Sequence, residues 1–487
     1  MSLVRRTEEF FAPGGRLATR WPAYEARASQ RELAADVARV FENGGVLLAE
    51  APTGIGKSLA YLLPAVLTAI ETERRVVVAT ATKSLQDQLF ERDLPVLLET
   101  LGVRVPCARL KGKQNYLCPR ALEDADASAP EERATLEEVR AWAAEDPAGD
   151  LDRFPASDAE AFRRLCGRVA ADADGCRMAT CGRARECFWV RARRRAGEAK
   201  LVIVNHALLA LGGDADGPLP PFDLLVVDEA HRLEGVLLGQ LERGASRHRF
   251  EEALRLIGAG RRRGGAPAGA GGLAARMSGL MLPLFDDVRR EEIAAEVSAM
   301  VARVGQARDD VEGFFAAVEP RGKRTGLYGV RERFRSAADL LGGDLDPLET
   351  LLSHCTHFAR MLARWSYHAA DPVGERMRSA DDLANDLERA AGLWSALGAD
   401  LEHLTEASRR DWVYWRTAAS SGAESERAAR GVELHGCPVT VGDVARRLLK
   451  DRSTAAVLTS ATLSAASDFA FSAARLGLGE KIGRAHV

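Results

Sequence analysis

Five apolar runs, each bounded by polar or turn residues, recur along the 487-residue chain. They are GVLLAE at 45–50, RVVVAT at 75–80, LVIVN at 201–205, DLLVVD at 223–228 and AAVLTS at 455–460. Continuous apolar runs of this length predict strands of a parallel sheet that is buried on both faces. Between the first two runs, SLAYLLPAVLTAI at 58–70 has helical spacing. The pattern therefore predicts an α/β fold built on strand–loop–helix–strand units.

Long intervals between these runs indicate two insertions in a single α/β domain. Residues 106–195 and 235–410 contain no comparable apolar run, so we predict no comparable strand in either segment. The second segment is rich in Leu, Ala, Arg and Glu at helical spacing, as in ADDLANDLERAAGLWSAL at 380–397. We expect it to be helical.

Composition places the chain among ordinary globular proteins, with 46% hydrophobic and 28% charged residues. The net charge is −3, so any affinity for nucleic acid must come from local patches. The N-terminus lacks the apolar segment of a secretory signal, and no run of 18 apolar residues suggests a membrane span. We therefore expect a cytoplasmic protein of several domains.

The segment EAPTGIGKS at 50–58 has the composition of a phosphate-binding loop between a strand and a helix. Glycines permit the tight turn, and the helix N-terminus favours an anion. Gly54, Gly56, Lys57 and Ser58 fit the pattern, with Lys57 reaching the outer phosphates and Ser58 binding Mg²⁺. Thr53 lies in the same loop and is a further candidate for nucleotide binding.

A second acidic motif follows the strand at 223–228 as Asp228-Glu229-Ala230-His231. We expect this strand to lie next to the strand of the phosphate-binding loop, so that Asp228 can hold Mg²⁺ through water. Glu229 can then orient and deprotonate an attacking water. Lys57, Asp228, Glu229 and His231 are thus the predicted catalytic residues.

Two further polar positions lie near these motifs in the sequence. Gln30, upstream of the loop, carries an amide that can pair with adenine N6 and N7. Ser460 and Thr462 follow the last apolar run, where their hydroxyls could couple the nucleotide site to something bound elsewhere.

The eight cysteines of a chain without a secretory signal indicate metal ligands, redox groups or core residues more than a disulfide framework. Four of them form one early position and a later trio, namely Cys118, Cys176, Cys181 and Cys187. Four and then five residues separate the trio members, whereas structural zinc sites favour two to four. An iron–sulfur cluster accepts looser spacing, so the spacing modestly favours it and leaves zinc open. The spare candidates are Cys107 and Cys166, while Cys355 and Cys437 are interpreted as small buried hydrophobic residues.

A group of arginines surrounds the cysteine trio, with two aromatic residues between them. The arginines are residues 183, 185, 191, 193, 194 and 195, and the aromatic residues are Phe188 and Trp189. This combination is typical of phosphate contacts with base stacking on single-stranded nucleic acid, although a solvated charged face has the same composition.

A set of motifs in one order gives the chain a specific resemblance. They are Gln30, APTGIGKS, ATATKSLQDQL at 79–89, KGKQNYLC at 111–118, the cysteine trio, VIVNHALL at 202–209, VVDEAH at 226–231 and VLTSATLS at 457–464. Over residues 24 to 464 the chain resembles DinG/YoaA-type DNA helicases, the bacterial relatives of the XPD-type superfamily 2 helicases.

The resemblance implies a RecA-like motor domain with a parallel sheet, formed by residues 1–105, 196–234 and 411–465. It also implies a [4Fe–4S] domain at 106–195, with Cys118, Cys176, Cys181 and Cys187 as ligands, and a helical arch domain at 235–410. On this pattern Thr80, Gln86 and Gln88 lie in the motif that touches the DNA strand.

The activity that the resemblance implies is ATP- and Mg²⁺-dependent 5′ to 3′ unwinding of forks, D-loops and R-loops in repair and replication. The implied partners of a monomeric bacterial enzyme are single-stranded DNA, forked DNA and DNA–RNA hybrids. Two rival functions stay open: a nucleic-acid-stimulated ATPase with a zinc-pinned insertion, and a DNA-binding sensor whose nucleotide site only switches conformation.

The two ends of the chain also carry expectations. The motor motifs begin near residue 24, so we expect no N-terminal exonuclease of the kind that some relatives carry. After residue 464 only a short tail remains, and we expect no strand in its terminal IGRAHV, which matches one reading frame of a common sequencing adapter. Residues 466–487 are therefore predicted to start a missing second motor domain or to be an artefactual tail. On that reading the chain alone hydrolyses ATP weakly.

Overall fold

The computed structural model of the chain describes residues 1–21, 24–127, 129–171, 176, 181–212, 217–258, 272–281, 287–320, 330–370, 378–418, 431–464, 468–479 and 483–486. The chain divides into two compact units. The first unit holds Met1–Ala173, Glu186–Gln240 and Thr440–Val487, and the second holds Asp174–Arg185 and Leu241–Val439. Within the described ranges, no helix has an apolar stretch that could cross a lipid bilayer.

The strands and helices have the following bounds. The strands are β1 Gly45–Glu50, β2 Val76–Thr80, β3 Cys107–Arg109, β4 Leu201–Asn205, β5 Leu224–Asp228, β6 Arg243–Ser246, β7 Val330–Arg333, β8 Trp412–Ala418, β9 Val432–Pro438, β10 Ala455–Ser460 and β11 Gly483–His486. The helices are α1 Leu3–Phe11, α2 Arg16–Arg20, α3 Ala28–Asn43, α4 Lys57–Glu71, α5 Lys83–Gln88, α6 Leu94–Leu101, α7 Pro119–Asp124, α8 Pro130–Glu145, α9 Ala159–Val169, α10 Phe188–Glu198, α11 His206–Leu211, α12 Leu233–Leu241, α13 Arg247–Ile257, α14 Leu273–Arg276, α15 Asp287–Ala317, α16 Ala337–Leu341, α17 Asp346–Ala370, α18 Arg378–Glu406, α19 Gly442–Arg446 and α20 Ala470–Arg475. Short 3₁₀ or π-helical turns occur at Leu89–Asp93, Lys113–Asn115, Leu151–Arg153, Ala230–Arg232, Met277–Met281 and Arg447–Asp451.

The first unit is built on a seven-stranded sheet in the order β11-β1-β10-β5-β2-β4-β3, and each of its neighbouring pairs is parallel. All five apolar runs form strands of this sheet, with bounds that match the predicted ones to within one residue. The helix predicted at 58–70 is α4. The predicted α/β fold with a parallel, RecA-like sheet is confirmed.

The order of the strands differs from the prediction at one important place. We expected the strand of Asp228 to lie next to the strand of the phosphate-binding loop, but β10 lies between β5 and β1. An apolar run predicts that a strand is buried, and it does not say which strand is its neighbour.

Two strands of this sheet were not predicted. β3 lies inside the 106–195 segment and pairs with β4, and β11 comes from the terminal tail and pairs with β1. The prediction of no strand in the terminal IGRAHV is therefore wrong, whereas β3 is too short to be comparable to the apolar runs and leaves the prediction for 106–195 uncontradicted. β3 has three residues and β11 has four, with arginine in both, so neither shows an apolar run in the sequence.

One face of the sheet packs on the helices that surround the nucleotide motif. Leu47, Val78 and Val226 are buried in one cluster with Phe41 of α3 and Tyr61 of α4. Alternate strand residues reach this layer because successive side chains in a strand point to opposite faces. Burial of each such Leu or Val contributes about 1.5–3 kcal/mol, and this packing fixes the strand ends that carry the site.

A buried lysine joins the 106–195 segment to helix α5. The ammonium of Lys111 is fully buried, and it lies 2.9 Å from Asp150, 3.0 Å from Asp152 and 3.3 Å from Asp87 of α5. Burial by itself would lower the pKa of Lys111, but the hydrogen bonds and charges of Asp150 and Asp152 outweigh it and raise the pKa. Arg109 of β3 contacts Asp87 at 2.5 Å, so it belongs to the same network.

The second unit combines helices α13 to α18 with a four-stranded antiparallel sheet in the order β6-β9-β8-β7. Its core is a single cluster that includes Phe250, Phe314, Phe358, Trp365 and Trp394. The long helices α15, α17 and α18 match the helical pattern of 235–410. β8 and β9 lie in the segment 411–465 that was predicted to belong to the motor, whereas in the structure both strands belong to the second unit.

Replacing Lys111 by Met should lower the free energy of unfolding by about 3 kcal/mol. The change leaves the carboxylates of Asp150, Asp152 and Asp87 without their buried cation. Urea unfolding followed by circular dichroism measures the effect. The matched control is Arg140→Met, which removes an exposed pair with Glu137 and should cost less than about 0.5 kcal/mol. Equal costs for the two variants would mean that the buried network does not stabilise the unit.

Candidate nucleotide site

The phosphate-binding loop connects β1 to α4 and is open to solvent. Gly54 and Gly56 have φ values of +87° and +85°, a left-handed conformation that glycine adopts without a steric penalty. Thr53 and Gly54 are exposed. Lys57 and Ser58 are the first two residues of α4, where the free backbone N–H groups and the helix dipole favour an anion.

Gln30 of α3 lies directly against this loop. Its Nε2 donates a hydrogen bond to the carbonyl of Gly56 at 3.1 Å, and its Oε1 accepts one from the Tyr24 hydroxyl at 2.8 Å. A Cβ on residue 56 would lie 2.1 Å from that Nε2, so glycine is required there. Gln30 and Tyr24 line a cavity of about 520 Å³ together with Trp21, Glu25, Arg27, Ile55, Gly56 and Leu59. The structure thus places the amide beside the loop, next to a space that can hold a base.

Asp228 ends β5 in a buried position. Its Oδ2 accepts a hydrogen bond from the Tyr61 hydroxyl at 3.0 Å, and its Oδ1 accepts one from the backbone N–H of Glu229 at 3.0 Å. Burial raises the pKa of Asp228 above its ordinary value. Burial and the neighbouring Asp228 carboxylate raise the pKa of Tyr61 well above its own, so the phenol stays protonated and donates.

Lys57 and Glu229 meet across the sheet edge. The ammonium of Lys57 lies 3.3 Å from Oε1 of Glu229, and both side chains are largely buried. Glu229 has φ 54° and ψ 42°, a left-handed conformation that is uncommon outside glycine. The structure therefore brings together the lysine of the loop and the carboxylate of the second motif, although 172 positions separate them.

His231 and Ser460 complete this group. Nδ1 of His231 lies 2.7 Å from the Ser460 hydroxyl and 3.4 Å from Oε2 of Glu229. The same hydroxyl accepts a hydrogen bond from the backbone N–H of Thr462 at 3.3 Å. The serine of the last apolar strand thus lies inside the site.

Glu50 is a residue of this site that the sequence analysis missed. It ends β1, and its Oε2 accepts hydrogen bonds from the backbone N–H groups of Leu463 at 2.7 Å and Ser464 at 2.6 Å. Its Oε1 accepts one from the Ser464 hydroxyl at 2.9 Å. Glu50 therefore ties the segment after β10 to the start of the loop. A carboxylate at a strand end directly before a phosphate-binding loop was the available signal.

His206 was also missed, although it lies in the quoted segment 202–209. Its Nε2 lies 2.8 Å from the backbone carbonyl of Asp228, so it connects the ends of β4 and β5. The side chain is fully buried, and burial lowers its pKa to about 4. His206 is therefore neutral at pH 7.

The residues of the site fit ATP with Mg²⁺. The hydroxyl of Ser58 and the carboxylate of Asp228 are hard oxygen ligands of the kind that Mg²⁺ prefers. The open loop, the N-terminus of α4 and the Lys57 ammonium supply the positive field that phosphates need.

Two residues predicted to touch a DNA strand are buried in the protein. Gln86 donates from Nε2 to the carbonyls of Leu110 and Ile203, both at 2.8 Å, and the Thr80 hydroxyl donates to the carbonyl of Thr82 at 3.0 Å. Neither side chain offers a polar surface to a strand, so both have structural roles here. Gln88 is exposed and stays a candidate.

The four predicted cluster ligands are not assembled in the described residues. Cys118 and Cys187 belong to the first unit, where they cap α7 and α10, whereas Cys176 and Cys181 belong to the second. Residues 172–175 and 177–180 lie outside the description. Within what is described, no group of three or more His, Cys, Asp or Glu side chains could hold a metal ion. The fit to an iron–sulfur cluster is therefore not met in this part of the chain.

Among the other cysteines, burial raises the pKa of Cys107 and of Cys355 to about 12, so both thiols stay protonated. Cys355 lies in the core of the second unit, in line with its interpretation as a small hydrophobic residue. Burial also raises the pKa of Cys166 and Cys437.

The aromatic residues near the cysteines do not present faces for base stacking. Phe188 and Trp189 are the first two residues of α10, and both side chains are buried. The guanidinium of Arg191 lies 4.4 Å from the centre of the Phe188 ring, and the ammonium of Lys113 lies 5.2 Å from the centre of the Trp189 ring. The predicted stacking role is wrong for both, because their rings pack inside the unit. The arginines at 191, 193, 194 and 195 lie on α10, whereas those at 183 and 185 belong to the second unit.

Comparison with known proteins places this site in a family context. A family model described as "DEAD/DEAH box helicase" matches residues 28–127. The chain is 40% identical over 230 residues to an ATP-dependent helicase DinG of Mycobacterium tuberculosis, covering 42% of the chain and 34% of that relative. It is 36% identical over 237 residues to the ATP-dependent DNA helicase YoaA of Escherichia coli, covering 46% and 36% respectively. A DinG helicase of Salmonella typhimurium is 37% identical over 249 residues, with 46% and 34% covered.

The predicted resemblance to DinG/YoaA-type helicases is thereby confirmed. The aligned part of this chain spans about a third of the length of these relatives.

Replacing His206 by Asn should reduce the pH dependence of stability between pH 7 and pH 5. The unfolded chain protonates His206 below about pH 6.5, whereas the folded chain resists until about pH 4, so stability is lost as pH falls through this window. The loss attributable to His206 at pH 5 is about 2 kcal/mol. Urea unfolding at both pH values measures it, with His248→Asn, at an exposed histidine, as the control. An unchanged difference between the two pH values in His206→Asn would show that the folded chain accepts the proton.

Proposed function

We propose that this chain, a relative of the DinG/YoaA-type helicases, carries the ATP-hydrolysing site of an ATP-dependent DNA helicase. The observation that carries the proposal is the meeting of Lys57 and Glu229 at 3.3 Å beside the buried Asp228. A loop lysine, a metal-binding carboxylate and a second carboxylate at one sheet edge are the parts that phosphoryl transfer to water requires.

The Lys57 ammonium can pair either with Glu229 or with the phosphates of an incoming nucleotide. In the structure its ammonium neutralises Glu229, and this pair keeps both side chains at the sheet edge. Incoming phosphates carry more negative charge than one carboxylate, so they take the lysine. Glu229 is then released from the cation.

Release changes what Glu229 can do. In the structure, Oε1 of Glu229 faces the Lys57 ammonium and not a water molecule that is to be activated. Once Lys57 has moved to phosphate, Glu229 can accept a proton from water. The left-handed backbone at Glu229 and the contacts with His231 and Ser460 keep its carboxylate in place.

Asp228 and Ser58 would hold the Mg²⁺ ion. When bound, the metal neutralises the charge that develops on the transferred phosphoryl group. The Tyr61 hydroxyl orients Asp228 for this task, since it occupies one carboxylate oxygen and leaves the other lone pairs available. The raised pKa of Asp228 means that metal binding must compete with a proton more strongly than at an ordinary aspartate.

The DNA-directed part of the proposal rests on the relatives. We propose that the full activity is 5′ to 3′ unwinding of forked or displaced-strand DNA in repair or replication, by a cytoplasmic enzyme that acts as a monomer. DNA–RNA hybrids are included among its substrates. The names of the relatives support DNA unwinding, and strand displacement from duplexes with a 5′ or a 3′ tail tests the polarity.

The iron–sulfur cluster stays a separate proposal. Its support is the spacing of Cys118, Cys176, Cys181 and Cys187 and the resemblance to DinG/YoaA-type helicases. The hydrolysis proposed above does not depend on it.

Replacing Glu229 by Gln should slow hydrolysis by about 10²–10⁴-fold, the usual contribution of a general base. ATP binding should be retained, because the amide no longer holds Lys57. Single-turnover hydrolysis with protein in excess measures the rate, and fluorescence of a labelled ATP measures binding.

The matched control for this experiment is Lys57→Ala, which should lose ATP binding itself. Undiminished hydrolysis by Glu229→Gln would remove Glu229 from the base role. Undiminished binding by Lys57→Ala would remove the loop from phosphate recognition.

Replacing Cys181 by Ser should abolish the visible absorption of anaerobically purified protein and its iron and sulfide content. The reason is that the variant lacks one of the four thiolates proposed to hold the cluster. Cys166→Ser is the matched control and should keep both signals. Colourless wild-type protein that contains zinc would reject the cluster in favour of the zinc alternative.

A further inference from the structure

The second unit contains a positively charged pocket that none of the sequence motifs covers. Its volume is about 620 Å³, within the rough range of 300–1,000 Å³ that ligand pockets occupy. Two segments form it, the end of β7 with the following turn and the segment from the end of α18 into β8. We call it the Arg–Trp pocket, and its defining residues are Arg333, Arg335, Arg409, Arg410, Trp412 and Tyr414.

The charge of the Arg–Trp pocket is largely unbalanced. Four arginines line it against a single carboxylate, that of Asp339. Arg409 pairs with Asp411 at 2.8 Å. The side chains of Arg333, Arg335 and Arg410 are exposed and have no carboxylate partner among the residues that the structure describes. Guanidinium groups left in this way are free to bind an anion, and their planar donors suit phosphate.

Aromatic side chains form the floor of the Arg–Trp pocket. The guanidinium of Arg409 lies 5.3 Å from the centre of the Trp412 ring, and His403 packs edge-on against the same ring at 4.6 Å. Tyr414 is buried, and its hydroxyl makes no hydrogen bond of ordinary geometry to the described residues. Burial raises the pKa of Tyr414, and the nearby backbone of Arg409 only partly opposes this shift. An unsatisfied buried hydroxyl costs free energy unless a ligand or water pairs with it.

A purely structural explanation accounts for only part of the arrangement. Arg409 and Arg410 follow the C-terminal end of α18, where the helix dipole favours positive charge. Arg333 and Arg335 come from a different segment, the end of β7 and the turn that follows it. The two segments are held together by the pairing of β7 with β8 and by a hydrogen bond from the backbone N–H of Phe334 to the carbonyl of Tyr414 at 3.3 Å. Convergence of the two pairs of arginines over an aromatic floor is what a ligand site requires.

We propose that the Arg–Trp pocket binds one nucleotide unit of single-stranded DNA, with the phosphates on Arg333, Arg335 and Arg410 and the base stacked on the Arg409–Trp412 layer. Base stacking on tryptophan or on a guanidinium plane, combined with arginine contacts to the backbone, is the usual way to hold a single strand without reading its sequence. The proposal rests on DNA being the substrate of the proposed helicase, and it adds a contact site in the second unit.

Binding of a fluorescein-labelled oligothymidylate to the full chain, followed by anisotropy, tests the proposal. Reversing both charges, Arg335→Glu with Arg410→Glu, should weaken binding at least tenfold. It should also reduce the dependence of log K on log salt by about 0.7 for each lost phosphate contact. The matched control is Arg360→Glu, an exposed arginine on α17 outside the pocket, which should change binding less than twofold.

Variants of Trp412 test the proposed stacking of a base. Trp412→Ala should weaken binding about 5- to 150-fold, as loss of one stacked base does, and Trp412→Phe should restore most of it. Trp412 is partly buried, so a folding defect in the Ala variant would show in circular dichroism, and the exposed arginine variants then decide the question.

Three results would overturn the inference. Pocket variants that bind the oligonucleotide as tightly as Arg360→Glu would exclude the pocket while leaving the proposed helicase function intact. Complete competition by thymidine monophosphate at micromolar concentration would identify a free-nucleotide site instead of a strand site. A parallel loss of labelled-ATP binding in the pocket variants would show a general defect, since Lys57 and its loop are untouched by these changes.

Discussion

The parallel register of β1, β10 and β5 is the constraint on which the rest of the structure depends. Glu50 at the end of β1 is level with Ser460 of β10, and Thr459 of β10 is level with Asp228 of β5. Parallel strands in this register end at one edge, so residues that follow them are brought together. This common edge explains why Lys57 lies close to Glu229. It also explains why Glu50 can accept hydrogen bonds from the segment after β10. A slip of one residue would turn each of these side chains to the opposite face.

Three groups of cations in the protein differ in how far carboxylates balance their charge. The ammonium of Lys111 is buried with three carboxylates that balance its charge. This network joins the 106–195 segment to α5. At the sheet edge, Lys57 has one carboxylate partner that it can exchange for phosphate. In the Arg–Trp pocket the guanidinium groups of Arg335 and Arg410 face solvent without a carboxylate among the described residues. A cation whose charge is fully balanced by carboxylates has a structural role, whereas one with few or no carboxylate partners can bind an anionic ligand.

The sequence predicted those strands that are buried along their whole length. It predicted less well the features that depend on which elements pack next to each other. Apolar runs predicted five strands of the parallel sheet because a strand buried on both faces is apolar throughout. β3 and β11 are too short and mixed in composition to show such a run. Pattern alone could not place β10 between β1 and β5. It also could not show that Gln86 and Trp189 are buried, because both are of residue types that are equally common at exposed functional positions. The lysine and carboxylates of the nucleotide site were predictable, since their motifs are local. Glu50 and His206 act through residues far away in the chain.

The central position of β10 has a consequence for synthesis of the protein. β1 and β5 leave the ribosome well before β10, because Leu241–Val439, the larger part of the second unit, is translated between β5 and β10. During that interval their facing edges have no strand to pair with, and unpaired apolar edges invite association with other chains. The second unit has its own hydrophobic core, and the strands of its sheet pair with one another. It can therefore fold before β10 is made. The nucleotide site is thus completed only after the second unit has been translated, although its phosphate-binding loop precedes that unit in the chain.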